Sequence, residues 1–476
     1  MAGHRRAGCR RTLSQGRCRT RRLRQTVLRR RPDRPVAVPR GPEHHAARTG
    51  GRYERRAVSG PFGPRAGGDE LAVGSFDSLR HRNFRLLWTG ALISNVGTWM
   101  QSTALAWYVF ELTHSPFWVS FVSFINLIPL VLAPLGGVYS DRVDRKRILF
   151  VTQTLMMVDA AVLAVLAWAG HAGLAVVLVL TFGQGLAFAF NGPAWLAWIP
   201  SLVPPGSLVN AVALNSAQFS AARVVGPAIA GGLIAAFGPG LVFGLNAVSF
   251  VAVLVALALI DAPRTAPLPR ERTLDFLRSG VTYAWRHRRI RTMLITVAVV
   301  AFFGSPILAL MPIYAHDVFH RGSGSYGVLL AAIGLGAVTG ALALGRYGTR
   351  LRANSIPIST VMTGVLLVAF GAAGMYAVAI VVGVAYGAAN LFVNAAANSD
   401  IQLHVDEGVR GRVLSIYMVA FGAAFPIGSL VAGAAAVRWG AAATTIAGAF
   451  GCVAWGAILL LRSPDPSPRA ALEPGA

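Results

Sequence analysis

Twelve long apolar runs constrain this chain more than any other feature. They fall at roughly 84–110, 116–139, 148–169, 172–194, 208–236 and 240–260, then at roughly 292–316, 324–345, 355–373, 375–398, 413–437 and 440–461. A helix rises about 1.5 Å per residue, so about 20 apolar residues cross the hydrocarbon core of a bilayer. The runs therefore predict an all-α membrane protein with about twelve transmembrane helices in two pseudo-symmetric six-helix bundles. Only Gly371 to Gly374 part the runs 355–373 and 375–398. Charged residues make up 13% of the chain, against about 25% in soluble domains. That leaves too little polar surface to face water, and the lipid bilayer is the expected partner.

The net charge of +25 resembles a nucleic-acid signal until its distribution is read. Residues 1–76 hold 19 Arg against 5 acids, a net +14, and the rest of the excess sits in short loops between apolar runs. No basic face with interleaved stacking aromatics is present, so nucleic acid is not an expected partner. The N-terminal segment is too poor in apolar residues to fold alone. Three readings stay open for residues 1–76: a cytoplasmic tail touching anionic lipid, a start assigned too early, or an Arg-rich transit peptide. Beyond it the expected domains are a six-helix bundle over 77–261, a cytoplasmic linker over 262–290, a second bundle over 291–464 and a short tail, 465–476. In the linker, Leu274 to Arg289 reads as an amphipathic surface helix, with Phe276, Val281, Tyr283 and Trp285 among arginines.

Arginine and lysine set the orientation. One set of connections carries Arg142, Arg145, Lys146 and Arg147, then Arg264 through Arg291, then Arg346, Arg350 and Arg352, then Arg410 and Arg412. The alternate connections at Glu111–Pro116, Gly170–Gly173 and Gly238–Gly240 have none, with Arg321 and Arg438 as exceptions. Basic loops stay in the cytoplasm, so both termini are expected there. Lys146 is the sole lysine in a chain rich in Arg, Ala, Gly and Pro, a bias that suggests a GC-rich bacterial genome and a cell-membrane location.

The second half echoes the first. Gly137 precedes Arg142 as Gly345 precedes Arg350, while Ala230-Gly231 and Gly238 correspond to Ala432-Gly433 and Gly440. Duplication of a six-helix unit is a common route to secondary transporters.

The sharpest motif is Gly137-Val-Tyr-Ser-Asp141-Arg142-Val-Asp-Arg145-Lys146-Arg147, between the second and third runs. Gly137 is expected to let a neighbouring helix approach closely. Asp141 is expected near a helix N-terminus, where the dipole favours an anion. The basic residues are expected to bond carbonyls and carboxylates across the bundle, as a lock made in one conformation only. A simple positive-inside anchor explains the basic residues but not the acid among them.

This loop resembles the signature of the major facilitator superfamily, Gly-x-x-x-Asp-Arg-x-Gly-Arg-Arg/Lys. It matches at Gly137, Asp141, Arg142, Arg145 and Lys146 and departs at Asp144, where glycine is usual. Within that superfamily the chain is similar to the branch of the enterobactin exporter and the macrolide efflux proteins. Leu79 to Trp88, Arg223-Val-Val-Gly-Pro-Ala228 and Arg410-Gly-Arg-Val413 carry this likeness, which spans about residues 77–462. It implies alternating access and export, without naming the cargo. Gly226, Pro227 and Gly231 resemble the Gly-Pro motif of the superfamily's antiporters, with Ala230 where a glycine is common. Helix packing alone is an equal explanation for Gly231 and Gly232.

Two charges lie inside apolar runs. A charge at mid-span costs about 2.5–3.5 kcal/mol on insertion scales, so it should meet a cavity or a partner. Arg223 is a candidate ligand for an anionic substrate, a partner for Asp159, or a structural tie to carbonyls. Asp159 is a candidate proton carrier or a local tie to a neighbouring helix. Asn95 and Gln101 on the first run, Asn215 on the fifth, and Asn394 and Asn398 on the tenth form polar stripes. Such stripes line an aqueous path or bond helix to helix.

No phosphate-binding loop, metal-ligand spacing or nucleophile triad is found, so neither nucleotide, metal, cofactor nor enzymatic activity is expected. The function expected is secondary active export of a small molecule (a siderophore, drug or hydrophobic metabolite), driven by protons or another ion. Import or facilitated diffusion by the same fold, and a non-transporting membrane receptor or scaffold, are the alternatives.

Overall fold

The computed structural model describes residues 76–140, 143–261, 273–347 and 354–462, all within one compact unit, Asp69–Ala476. The Arg-rich tail up to residue 75, the loop residues Asp141 and Arg142, the linker 262–272, Thr349 and Arg350 of the repeated motif, and residues 463–476 lie outside the described residues.

The first half begins with α1, Arg82–Thr113, which ends where His114 takes a left-handed conformation at φ 48°. Pro116 starts α2, Pro116–Leu127, and a 3-10 turn containing Pro129 links it to α3, Ala133–Ser140, so the two form one broken span. Then follow α4, Arg145–Trp168; α5, Leu174–Trp198; α6, Leu208–Phe237; and α7, Pro239–Leu259. An α8 helix, Thr273–Arg286, leads into the second half. Its first span joins α9, Arg288–Val299, to α10, Ile307–Ile313, through one π-helical turn at Val300–Gly304 and ends in a second at Tyr314–Val318. After it come α11, Ser323–Tyr347; α12, Ser355–Gly371; α13, Tyr376–His404; and α14, Arg410–Leu461. α14 is two spans bent at Gly440, whose φ of 79° and ψ of 163° are not helical. Gly238, between α6 and α7, has φ 78° and ψ 170°. The same left-handed glycine corner thus recurs in each half, as the sequence repeat predicts, because only glycine takes that conformation without strain.

Among the described residues, eight helices are long and apolar enough to cross a membrane by length and composition, and the shorter apolar helices Pro116–Leu132 and Ser355–Gly371 add to them. α1 falls outside the eight because Asn95, Thr98, Gln101 and Ser102 dilute its apolar character. The turn at Gly371–Gly374 does separate two helices, α12 and α13.

Packing is uneven between the two ends of the molecule. At the end holding the α1–α2 corner, one apolar cluster takes residues from both halves, among them Trp107, Phe110 and Ala230 with Met311, Tyr314 and Tyr326. At the other end, which carries Arg145, Lys146, Arg289 and Arg412, each half has its own cluster. One is built only from residues between Phe84 and Ile260, the other only from residues between Ala284 and Tyr417. The halves therefore share a core at the first end and keep separate cores at the arginine end.

Glycines set the joined end. A Cβ at Gly231 on α6 would lie 2.9 Å from the Cα of Gly327 on α11, and one at Gly327 would lie 2.5 Å from the carbonyl of Pro227. On the opposite side of the molecule, Gly433 on α14 meets Ser120 on α2, leaving no room for a Cβ. Gly231 and Gly433 occupy equivalent places in the repeat, so the two contacts are counterparts. Trp107 stacks on Tyr326 at 5.7 Å between centroids and Phe110 meets His316 at 5.1 Å, closing the gap between them.

Candidate functional site

The loop motif turns inward on its own bundle. Asp144 caps α4, its carboxylate accepting the backbone N–H of Lys146 at 3.0 Å. The position that departs from the superfamily pattern thus supplies the helix cap. Arg145 donates to the Ala197 carbonyl at 2.7 Å, and Lys146 Nζ to the Ile260 carbonyl at 2.7 Å. Those carbonyls end α5 and α7, where the helix dipole is negative and favours a cation. Arg145 and Lys146 therefore tie three helices of one half together. The second half has its own ties at this end: Arg289 makes a bidentate pair with Asp400, at 2.7 and 2.9 Å, and Arg412 bonds Ser279.

Gly137 does not mediate the close approach expected of it. A Cβ there would meet nothing within 4 Å, whereas one at Gly136 would lie 2.7 Å from the Ala189 carbonyl of α5. The tight contact belongs to the neighbouring residue because helix rotation aims only one of two adjacent glycines at α5. Asp141 and Arg142 lie outside the described residues.

Arg223 is set halfway along α6, beside the point where α6 meets α11; its own carbonyl would lie 3.2 Å from a Cβ at Gly334. Its guanidinium carbon lies 5.7 Å from the ring centre of Trp99, and Trp99 meets Phe219 edge to face at 5.8 Å. Gly226 lets α6 approach α1 here: a Cβ would lie 2.6 Å from that of Trp99. From the second half, Tyr386 of α13 lies within electrostatic reach of Arg223. Tyr386 donates to the Gly304 carbonyl at 2.9 Å, in the first π-helical turn, and accepts from Asn390 at 3.3 Å. Asn394 continues the chain, donating to the Asn390 carbonyl at 2.8 Å, and Tyr417 of α14 donates to the Asn394 carbonyl at 3.2 Å. Gln402 donates to Asn398 one turn further toward the arginine end. The asparagine face of α13 is thus a hydrogen-bonded track whose first member is Tyr386.

Not every polar residue of the stripes joins this place. Asn95 is half-exposed with Ser102 on one side of α1, and Asn215 accepts from Trp195 at 3.0 Å where α5 meets α6. Gln101 is turned the other way: it is buried and accepts from Asn246 of α7 at 2.6 Å. It is an interhelical tie inside the first half. Asp159 stands apart from Arg223 as well. It sits where α4 meets α5, with its carboxylate 3.9 Å from a Cβ at Gly183, and no ion pair joins the two charges. The expected pairing fails because α4 packs on α5 and α7, while Arg223 is held at the contact of α6 with α11. Trp99, Tyr386 and the π-helical turns escaped sequence reasoning. Tyr386 lies one turn before Asn390, in phase with the asparagine stripe, and that spacing was the available signal.

Two six-helix halves, sharing a core at one end and keeping separate cores at the other around mid-span polar groups, define a major facilitator transporter. In fold the chain is similar to a peptide-transporter-family protein solved with 5-aminolevulinic acid, with TM-score 0.66, 13% identity, and 80% and 96% of the two chains covered. It is also similar to a bacterial homologue of the human lysosomal transporter Spinster, solved inward-facing and unoccupied, with TM-score 0.61, 14% identity, and 80% and 96% covered. The chain belongs to the transmembrane secretion effector family of this superfamily, its match running over residues 73–474. It is 26% identical over 343 residues to the staphyloferrin A transporter of Staphylococcus aureus, covering 71% of this chain and 85% of that one. It is 29% identical over 416 residues to the multidrug efflux pump Tap of Mycobacterium tuberculosis, covering 82% and 96%. With macrolide efflux protein A of Streptococcus pyogenes the identity is 24% over 365 residues, covering 75% and 90%. These are transporters rather than enzymes.

Proposed function

We propose that this protein exports small molecules across a bacterial cell membrane by alternating access, driven by the proton gradient. The observation that carries the reading is the uneven packing: a core shared by both halves at one end, and separate cores at the other. A rigid-body rocking of two such halves exchanges which end is joined. Positive-inside loops support an arginine end in the cytoplasm, with both termini there and the unjoined end facing the cell interior. In that frame 77–261 and 291–464 are the rocking units and 262–290 is the tether on the inner surface. Relatives named for drug and macrolide efflux support export as the direction.

The cargo site of this reading lies around Arg223, Trp99 and Asn95 from the first half, with Tyr386, Asn390, Asn394 and Asn398 from the second. Asp159 is the proposed proton carrier. It is a mid-span carboxylate with no hydrogen bond or ion pair among the described residues, free to gain and lose a proton as its helix moves. Inverted membrane vesicles bearing the protein, energised with a proton gradient, should accumulate at least one of erythromycin, ethidium and 2-naphthoate above control vesicles. Asp159→Asn vesicles should only equilibrate it. No accumulation of any of the three, in vesicles shown to contain folded protein, would sink the transport reading. Full accumulation by Asp159→Asn would remove that residue as the proton carrier.

A further inference from the structure

We propose that Arg223 is the docking point for an anionic group, and that the cargo class is an organic anion with a flat or compact apolar body. This deepens the export reading and rests on it for the word cargo; the anion site itself stands on geometry. The guanidinium lies in mid-span and makes no hydrogen bond and no ion pair among the described residues. Three carboxylates near helix ends are already engaged. Glu111 accepts from Trp107 at 2.6 Å, Asp317 pairs with His316 at 2.7 Å, and Asp400 holds Arg289. Asp159 is on another helix contact altogether. A mid-span cation without a protein counter-charge is costly, and a group that supplies the missing anion relieves that cost.

The surroundings fix what kind of anion fits. The planar fork of arginine matches a carboxylate with two parallel hydrogen bonds. Trp99 beside it attracts it through the ring face but offers no acceptor for its N–H groups. Trp99 and Phe219 present apolar ring surface directly beside the charge. From the second half, the buried Tyr386, already bonded to Asn390 and Gly304, keeps the neighbourhood of Arg223 polar but uncharged. A carboxylate at Arg223 with its apolar body against Trp99 satisfies every one of these groups. A cationic compound meets repulsion, and a neutral one leaves the guanidinium without a counter-charge.

Arg223 is partly exposed and stands beside the contact of α6 with α11. When the halves rock, α6 and α11 change their contact beside Arg223, which couples loading of the site to the motion.

The test uses the purified full-length protein in lipid nanodiscs and three probes of one shape: 2-naphthoate, 2-naphthamide and 2-naphthylmethylammonium. Calorimetric titration should give naphthoate an affinity about 10- to 100-fold above the amide, the range of one or two charge-assisted hydrogen bonds. The ammonium compound should bind more weakly than the amide. Arg223→Gln should erase the preference for naphthoate, whereas Arg223→Lys should keep part of it, since it retains charge without the fork. Equal binding of the three probes, no binding of naphthoate, or an Arg223→Gln protein that still prefers naphthoate would each overturn the proposal. The comparison of probes on the unaltered protein decides the matter even where Arg223→Gln fails to fold. If erythromycin is accumulated by vesicles while naphthoate is not preferred, the anion class fails and the export reading stands. If naphthoate binds through Arg223 but no compound is accumulated, the anion site stands and the export reading fails.

Discussion

Gly231 and Gly232 are adjacent on α6, and the structure gives them opposite burdens. A Cβ at Gly231 would lie 2.9 Å from the Gly327 Cα and 2.9 Å from the Ser323 carbonyl, both backbone atoms that cannot swing aside. A Cβ at Gly232 would meet nothing within 4 Å. Replacing either by alanine removes the same helix-weakening glycine, a gain of about 0.5–1 kcal/mol. Only Gly231→Ala also overpacks the contact between the halves, at about 1–3 kcal/mol. That contact exists in the conformation joined at this end, so the penalty falls on one state alone. The two variants should differ by about 5- to 150-fold in the ratio of the two conformations. Spin labels at positions 237 and 322, on either side of the contact, report it by pulsed electron resonance once Cys9, Cys18 and Cys452 are replaced by alanine. A longer-distance population should grow in Gly231→Ala and not in Gly232→Ala. Identical distance distributions in the two variants would refute the claim that this glycine contact holds the joined end.

Cysteines at positions 170 and 238 should react with an impermeant thiol reagent on intact cells, while one at position 144 should react only after permeabilisation; the reverse pattern would invert the orientation. Lys146→Met removes the cation that caps the Ile260 carbonyl, and thermal unfolding should show a loss of about 1 kcal/mol after allowance for the partial exposure of that lysine. An unchanged melting curve would reduce Lys146 to an orientation signal. Arg223→Gln and Asp159→Asn should act independently on stability, their double variant matching the sum within about 0.5 kcal/mol. A double variant markedly more stable than that sum would restore a direct pairing between the two charges.

The twelve spans were legible because the bilayer demands length and hydrophobicity together, and few sequences meet both by accident. The repeat was legible where backbone geometry forces a residue: Gly238 and Gly440 stand at the same corner in each half, and no other residue type takes that φ cheaply. Sequence fails where rotation about a helix axis decides the outcome. Gln101 and Asn95 look alike as polar residues on α1, yet one faces α7 and the other does not. Gly136 and Gly137 differ in the same way. Asp159 and Arg223 are both charges in apolar runs, and only the arrangement of helices shows that they serve different contacts. The π-helical turns beside Gly304 and Val318 were invisible because one extra residue per turn leaves no trace in apolar spacing.

The core shared by the two halves has a thermal consequence. Rocking the molecule open at that end brings water to Trp107, Phe110, Tyr326 and their neighbours, which are buried in the present conformation. Wetting apolar surface raises heat capacity, so the balance between the two conformations curves with temperature as folding itself does. Cooling weakens the hydrophobic join, so in the proposed rocking it moves the population toward the form open at the joined end.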